Sequence, residues 1–368
     1  MKILLLEPYF TGSHAAWANG LAEHSQHTIK ILSLPGRFWK WRMHGGAVTL
    51  ARQFMATDFT PALLLATDML DLATFLALTR AKTAHLPTAI YFHENQLTYP
   101  WSPTDRDVAR NRDKHYGFIN FTSALAADAV FFNSGYHRQS FLDELPRLLK
   151  NFPDFNELAA IQHIEAKSSV LPLGLNLRRF DAHRPDSLQK TGPPLVVWNH
   201  RWEYDKNPAD FFAALLALAG QGLEFNVAVL GENFKRRPKI FEQARRQLGQ
   251  RVVQFGYAAD FAAYAGWLWQ ADLLPVTSTQ DFFGVSVMQA CYCGCLPLLP
   301  PRLAYPELIP AELHPRYFYT DTDDLVGRLA AAITNIAQTR QHSLRPIAAQ
   351  FDWQALAPRY DTAFAALL

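Results

Sequence analysis

The sequence predicts an α/β protein of two doubly wound domains, each a parallel sheet wrapped by helices, facing a central cleft. Short apolar runs bounded by turn residues alternate along the chain with longer stretches of helical period. Parallel sheets covered on both faces produce this rhythm. It breaks once, in a charged stretch running from Gly174 through Pro185 and Gly192 to Pro194, and then restarts. The length of 368 residues suits two domains at roughly 100–200 residues each.

In the first half, Lys2–Leu6 reads as a buried strand, Pro8–Ser13 as a loop, and His14 to about Glu23 as a helix with Ser13 as its N-cap. Thr28–Leu32, Ala62–Ala66, Thr88–Phe92, Ala126–Phe132 and Val170–Leu173 are the further strands. In the second half, strands at Leu195–Asn199, Phe225–Leu230, Val252–Phe255, Leu273–Val276 and Leu296–Leu299 alternate with helices at Pro208–Gly220, Arg237–Leu248, Ala259–Gln270 and Gly284–Cys293. The expected boundaries are a first domain at 1–175, a linker at 176–194 and a second domain at 195–345. A C-terminal helix within 346–368 is expected to pack back on the N-terminal domain.

Apolar residues make up 49% of the chain and charged residues 18%, enough to fill two ordinary cores. The formal net charge of +2 does not mark a nucleic-acid binder by bulk charge, so local patches must carry any such reading. The apolar run Ile3–Leu6 is too short for a signal segment or a membrane span, and no long apolar run follows it. A soluble, cytoplasmic protein is expected. Cys291, Cys293 and Cys295 match no zinc-ligand spacing. They read as reduced thiols packed around a helix end, with a redox or metal role as the alternative.

Ligands of doubly wound sheets sit beyond the carboxyl ends of the strands. His93, Asn133, Arg201, Gly231, Gly256 and Asp281 fall there. Arg201 and Lys206 follow a buried strand and offer a planar fork and a point charge to a diphosphate leaving group; the alternative is a surface loop whose charges pair with one another. Asp281 precedes Phe282-Phe283-Gly284 and a helix. The turn and helix start can present backbone N–H groups to an anion while the carboxylate holds a sugar hydroxyl, or Asp281 simply caps the helix. Gln289 lies further along that helix. Gly12-Ser13-His14 opens the first helix with a turn that lets backbone approach a phosphate, though an ordinary strand–helix turn would look the same.

His93-Glu94-Asn95-Gln96 places four polar residues at one strand end, which suits a reaction centre better than a core. A His there can bond a hydroxyl or manage a proton. The segment Arg37-Phe38-Trp39-Lys40-Trp41-Arg42 interleaves cations with aromatics, as a single-stranded RNA contact would, or as a Trp-anchored loop would. Lys235-Arg236-Arg237-Pro238-Lys239 is purely basic. Asp321-Thr322-Asp323 reads as the start of a helix rather than a metal site.

These residues resemble a known group. Arg201, Lys206 and the FFGV helix are similar to the retaining GT-B glycosyltransferases of the large GT4 class. More specifically, the chain resembles the tRNA-queuosine α-mannosyltransferase family through FTGSH at 10–14, WKWR at 39–42, YFHENQLTYP at 91–100 and FNS at 132–134. HRWEYDKNP at 200–208, VLGENF at 229–234, FFGV at 282–285 and YCGCLPL at 292–298 extend the likeness to about Pro310. The resemblance implies a two-domain GT-B enzyme, the N-terminal domain serving the acceptor and the C-terminal domain the nucleotide sugar. Mannose would pass from GDP-mannose to queuosine in a tRNA anticodon, tRNA-Asp being the expected partner, with no metal or other cofactor.

On that analogy Arg201 and Lys206 grip the diphosphate, beside Gly12, Ser13 and the Phe283, Gly284 and Val285 backbone. His93 and Asp281 are the catalytic candidates and Gln289 meets the ribose. His14, Glu94, Asn95, Gln96 and Asn133 lie near sugar or acceptor, and Arg37, Trp39, Lys40, Trp41 and Arg42 contact tRNA. The class usually places glutamates where this chain has Asp281 and Gln289, a departure that keeps one charge and loses the other. Two other functions fit the residues: transfer to a lipid or saccharide acceptor, and sugar-nucleotide or RNA binding without catalysis.

Overall fold

A computed structural model describes residues 1–101, 115–186, 190–231 and 239–368. Among these residues no helix is long and apolar enough to cross a membrane. The chain divides into two compact units, Met1–Asn176 with Trp353–Leu368, and Leu177–Asp352.

The first unit is built on six parallel strands, β1 (Lys2–Phe10), β2 (Thr28–Pro35), β3 (Leu63–Thr67), β4 (Thr88–Phe92), β5 (Ala129–Phe132) and β6 (Ser168–Val170), in the order β2-β1-β3-β4-β5-β6. Ile3–Leu6 and all of β3, β4 and β5 are buried, as apolar runs covered by helices on both faces must be. β1 lies between β2 and β3, so successive connections leave it in opposite directions. The crevice this opens at the carboxyl ends of β1 and β3 is where such a sheet binds ligands. Helix Trp353–Ala365 completes this unit. Trp353 N–H donates to Leu175 O at 2.9 Å, and the Trp353 indole lies so close to Gly20 and Gly174 that a Cβ on either would fall 2.0 or 2.6 Å from it. Trp17 Nε1–H donates to the hydroxyl of Tyr360 at 3.1 Å.

The second unit has five parallel strands, β7 (Leu195–Trp198), β8 (Asn226–Val229), β9 (Val252–Phe255), β10 (Leu273–Pro275) and β11 (Leu296–Leu298), in the order β11-β10-β7-β8-β9. Here β7 is flanked by β8 and β10, which puts the reversal, and the crevice, at the ends of β7 and β10. The core pairs Trp198 and Trp202 with Phe211, Phe212 and Phe241, the Trp202 and Phe241 rings stacking at 4.4 Å. Residues 178–183 form a short 3-10 turn whose Phe180 is buried and accepts the Trp269 indole N–H at 2.9 Å.

Several local expectations shift. β1 continues to Phe10, through the expected loop at Pro8–Ser13, because a bulge after Glu7 re-registers Phe10 with Pro35 on β2. The first helix begins at Gly12, and its N-cap is Thr11 without a side-chain bond, so Ser13 is not the cap. The strand expected at Val170–Leu173 lies at Ser168–Val170. Its ladder closes when Leu171 N–H reaches Phe132 O at 2.9 Å, since Pro172 has no N–H to continue it. Ala126 ends a helix, His115–Ala126, rather than opening β5. Trp39–Arg42 is the first turn of helix Trp39–Met55 and not a loop. Asp321 caps helix Thr322–Thr334 by accepting from Asp324 N. The start of the helix expected at Arg237 lies outside the described residues, which show Ile240–Leu248.

Candidate active site

In the first unit four strand ends contribute one cluster. Glu7, near the end of β1, is fully buried; Oε1 accepts the Tyr9 N–H at 2.8 Å and Oε2 accepts from His14 Nδ1 at 3.1 Å. His14 sits in the first turn of helix Gly12–His24, its ring edge-on to His93 at 4.3 Å, and Trp17 closes on His93 from the next turn at 4.6 Å. His93 follows β4. Its N–H donates to Asp68 Oδ1, after β3, at 2.8 Å, and its carbonyl accepts from Asn133 Nδ2, after β5, at 2.9 Å. Asn133 Oδ1 in turn stands 2.8 Å from His137 Nδ1.

This packing sorts the two imidazoles by charge. Burial opposes a cation at His14, but the Glu7 carboxylate, through its charge and its hydrogen bond, outweighs it with help from Asp68 and Glu94, and the His14 pKa rises to about 9. His93 moves the other way, held neutral by burial first and then by the charge on His14. Burial also pushes Asp68 up. His93 Nε2 and Asn95 Nδ2 are buried atoms without a hydrogen-bond partner, as groups awaiting a ligand would be. Asn95 Oδ1 meanwhile holds the loop by accepting from Leu97 N and Thr98 N at 3.0 and 2.9 Å. Gln96 N–H donates to Asn120 Oδ1 at 2.8 Å, and its Nε2 to Glu94 Oε1 at 2.9 Å.

Glu7, His14 and His93 offer ligand atoms within 4.8 Å of one another, close enough to hold a metal ion. A His kept protonated by its carboxylate partner is a poor ligand, because coordination needs the neutral ring. Gly12 and Ser13 are exposed at the helix start. A Cβ on Gly12 would meet nothing within 4 Å, so its φ of +50, not lack of space, calls for glycine.

In the second unit the β7 and β10 ends converge. Lys206 is 8% exposed; its Nζ donates to Gln280 O at 2.5 Å, 3.2 Å from Asp205 Oδ2 and 3.8 Å from Asp281 Oδ2. Arg201 stands on the rim, half-exposed, with Nη2 3.2 Å from Glu203 Oε2. Asp281 Oδ1 accepts the Phe283 N–H at 3.2 Å and Oδ2 the Tyr305 hydroxyl at 3.2 Å, so this carboxylate does shape the Phe-Phe-Gly turn. Gly284 takes φ +108, and helix Val285–Tyr292 begins at Val285. Gln289 Oε1 accepts from the Tyr264 hydroxyl at 2.7 Å. The turn after β7 is fixed by backbone contact: a Cβ on Gly231, at φ +106, would fall 1.9 Å from His200 O.

Residues that sequence reasoning passed over complete both clusters. Asn199 and His200 stand in the β7 turn, His200 Nδ1 lying 2.8 Å from Ser286 Oγ, and Asn199 Oδ1, His200 Nε2 and Gln280 Nε2 are buried without a partner. Burial and then the nearby Lys206 lower the His200 pKa to about 3. Glu7 carried a readable signal, a lone carboxylate directly after an apolar strand run; Asp68 and Trp17 carried none. The three cysteines are free, buried thiols, and burial pushes all three above the usual thiol range. In the basic pair of segments, 235–238 lie outside the described residues. Arg37 and Trp41 are exposed while Trp39, Lys40 and Arg42 are part-buried.

A family model for the N-terminal part of tRNA-queuosine alpha-mannosyltransferases matches residues 2–175. The tRNA-queuosine alpha-mannosyltransferase of Drosophila melanogaster is 36% identical over 317 residues, 84% of this chain and 82% of that protein. The chain belongs to the tRNA-queuosine alpha-mannosyltransferase family. It is therefore a glycosyltransferase, and solved structures give the GT-B fold. A sucrose-phosphate synthase from Thermosynechococcus elongatus matches with a TM-score of 0.70 at 13% identity, covering 100% of this chain and 99% of that one. A glycosyltransferase from Rickettsia africae matches with a TM-score of 0.70 at 14% identity, covering 100% and 98%. At such identities the likeness speaks for the fold alone, and membership of the mannosyltransferase family rests on the sequence match.

Proposed function

We propose that this enzyme transfers mannose from GDP-mannose to the cyclopentenediol of queuosine in a tRNA anticodon, tRNA-Asp foremost, keeping the α configuration. The observation that supports the donor side is Lys206, a nearly buried cation held between Asp205 and Asp281 where β7 and β10 end. A fixed cation in a low-dielectric crevice stabilises the charge that develops on a departing diphosphate, without reorganisation at the moment of reaction. The turn at Phe283–Val285 opens a helix whose N-terminal dipole adds to that field. Asn199 and Gln280 have buried polar atoms to give to hydroxyls of the nucleotide sugar.

No side chain in either cluster is required as a covalent nucleophile. The departing phosphate oxygen takes the acceptor's proton as the hydroxyl approaches the same face of the sugar. The protein's part is to position the partners and stabilise the leaving group. Neutral His93 offers Nε2 to a sugar or acceptor hydroxyl, with Asp281 on the sugar hydroxyls. The cytoplasm is the expected location.

The test is a transfer assay read by nucleoside mass spectrometry. Purified protein, GDP-mannose and bulk tRNA from queuosine-containing cells are combined, with queuosine-free tRNA as control. Hexose added to queuosine alone is the expected result. Hexose on neither tRNA, from a protein that binds GDP, would overturn the proposal and direct attention to other donors and to lipid or saccharide acceptors.

A further inference from the structure

The segment Arg37–Arg42 has a chemistry that neither cluster uses. Phe38 is 72% exposed and Trp41 63% exposed, large rings that folding normally covers. Phe38 also holds a left-handed backbone, φ 57 and ψ 53, a strained conformation for a bulky residue that buries so little. Trp41 is one helical turn before Gly45, and a Cβ there would fall 2.6 Å from Trp41 Cζ2. The missing side chain lets the indole rest against the helix backbone, with its other side toward solvent. Trp39 behaves differently: its ring lies 5.0 Å from Tyr116 and packs on the cluster of Met43, Met69 and Ile119.

The charge along this stretch of the sequence has one sign. No Asp or Glu occurs between Glu23 and Asp58, whereas Lys30, Arg37, Lys40, Arg42 and Arg52 do. Arg37 is exposed, its guanidinium 5.9 Å from the Phe38 ring, and Arg42 Nε is anchored on Pro35 O at 3.1 Å. Exposed, pre-positioned π faces inside an acid-free basic stretch complement a single-stranded polyanion whose bases need stacking partners.

We propose that Phe38 and Trp41 form a stacking platform for unpaired bases of an RNA single strand, with Arg37 and Arg42 on the flanking phosphates and Gly45 as the bed of the Trp41 ring. The proposal deepens the tRNA-modification reading and rests on it. It separates the tRNA-facing aromatics from Trp39, which is structural.

The experiment measures binding of a labelled anticodon stem-loop RNA by fluorescence anisotropy, with GDP affinity and the hexose-transfer assay run on the same proteins. Trp41→Ala and Phe38→Ala are each expected to weaken RNA binding roughly tenfold or more, the effect of losing one stacked base, with GDP affinity unchanged. Trp41→Tyr should restore most of it. Arg37→Ala should lower the salt dependence of binding by about one charge, which Trp41→Ala should not. Gly45→Ala should displace the ring and weaken RNA binding even as alanine strengthens the helix, an opposition that a purely structural role for Trp41 would not give. RNA affinities of the Trp41 and Phe38 variants equal to wild type would overturn the platform. So would Trp41-dependent binding to anionic phospholipid vesicles with RNA affinity unchanged. A wild type that binds RNA through Trp41 but adds no hexose to queuosine would uphold the platform while sinking the transfer reading, so the two failures are distinguishable.

Discussion

The substitution Glu7→Gln should discharge the first-unit cluster. Glu7 has no exposure, and its Oε2 is 3.1 Å from a His14 ring that is itself only 5% exposed. The His14 pKa stands at about 9 against an ordinary 6.5, a shift that corresponds to about 3 kcal/mol of preference for the charged form in the folded protein. Because the folded pKa is raised, that stability is fully present below pH 6.5 and is lost as pH climbs through about 9. The neutral amide of the variant has a single acceptor oxygen, which can keep the Tyr9 N–H bond while its NH2 donates to Nδ1 of a neutral His14, and it cannot hold the cation. The Glu7→Gln protein should thus be about 3 kcal/mol less stable near pH 6. It should lack the decline that wild type shows between neutral and alkaline pH, and should converge with wild type at high pH. Urea unfolding at a series of pH values measures these stabilities, and NMR titration of the His14 ring protons measures the pKa itself. A wild-type His14 that titrates at or below its ordinary value, or a Glu7→Gln protein as stable as wild type near pH 6, would refute the reasoning. Transfer activity adds an independent reading: a neutral His14 lifts the charge that helps to hold His93 neutral, so the pH–rate profile of the variant should move.

The second unit and the chemistry supply further perturbations. Arg201→Ala should reduce turnover by about 2–4 kcal/mol of transition-state stabilisation with little change in stability, because this side chain is half-exposed. Lys206→Ala should reduce turnover similarly and also destabilise the fold by roughly 3–5 kcal/mol, since Asp205 would remain buried without its cation; kinetics and chemical denaturation together read the split, and normal turnover by both variants would remove their proposed role. Gly231→Ala should destabilise the second unit by more than about 2 kcal/mol, because a Cβ would collide with His200 O at 1.9 Å on a backbone at φ +106; thermal unfolding checks this. EDTA should leave transfer unchanged, and its abolition of activity would place a metal ion in the reaction.

Much of the candidate site was legible in the sequence because its residues cluster next to apolar runs. His93 to Gln96 sit directly after an apolar strand, and Arg201 and Lys206 after another, so position relative to a strand end was enough to single them out. Gly284 could be read from its turn, and it does take a left-handed φ. The local errors have local causes. Trp39–Arg42 looked like a loop because its aromatics and cations mask helical period, and Ser13 looked like a cap because the preceding bulge at Glu7 is invisible in composition. Asp281 was left between two roles, and the structure shows the capping contact to Phe283 N together with a second oxygen facing Lys206.

The sequence alone determined the strands and their parallel, twice-covered character, since runs such as Ile3–Leu6 and Leu195–Val197 are apolar throughout and have no face to leave in water. Family membership, too, is a property of the sequence. The tertiary structure decided strand order, which no local pattern encodes. That order puts the crevices between β1 and β3 and between β7 and β10. It also decided which charges matter. Glu7 and Asp68 lie far apart in the chain, and only the sheet buries both beside His14 and His93. Their effect on those rings depends on lost water and short distance, and both are set by packing rather than by residue type.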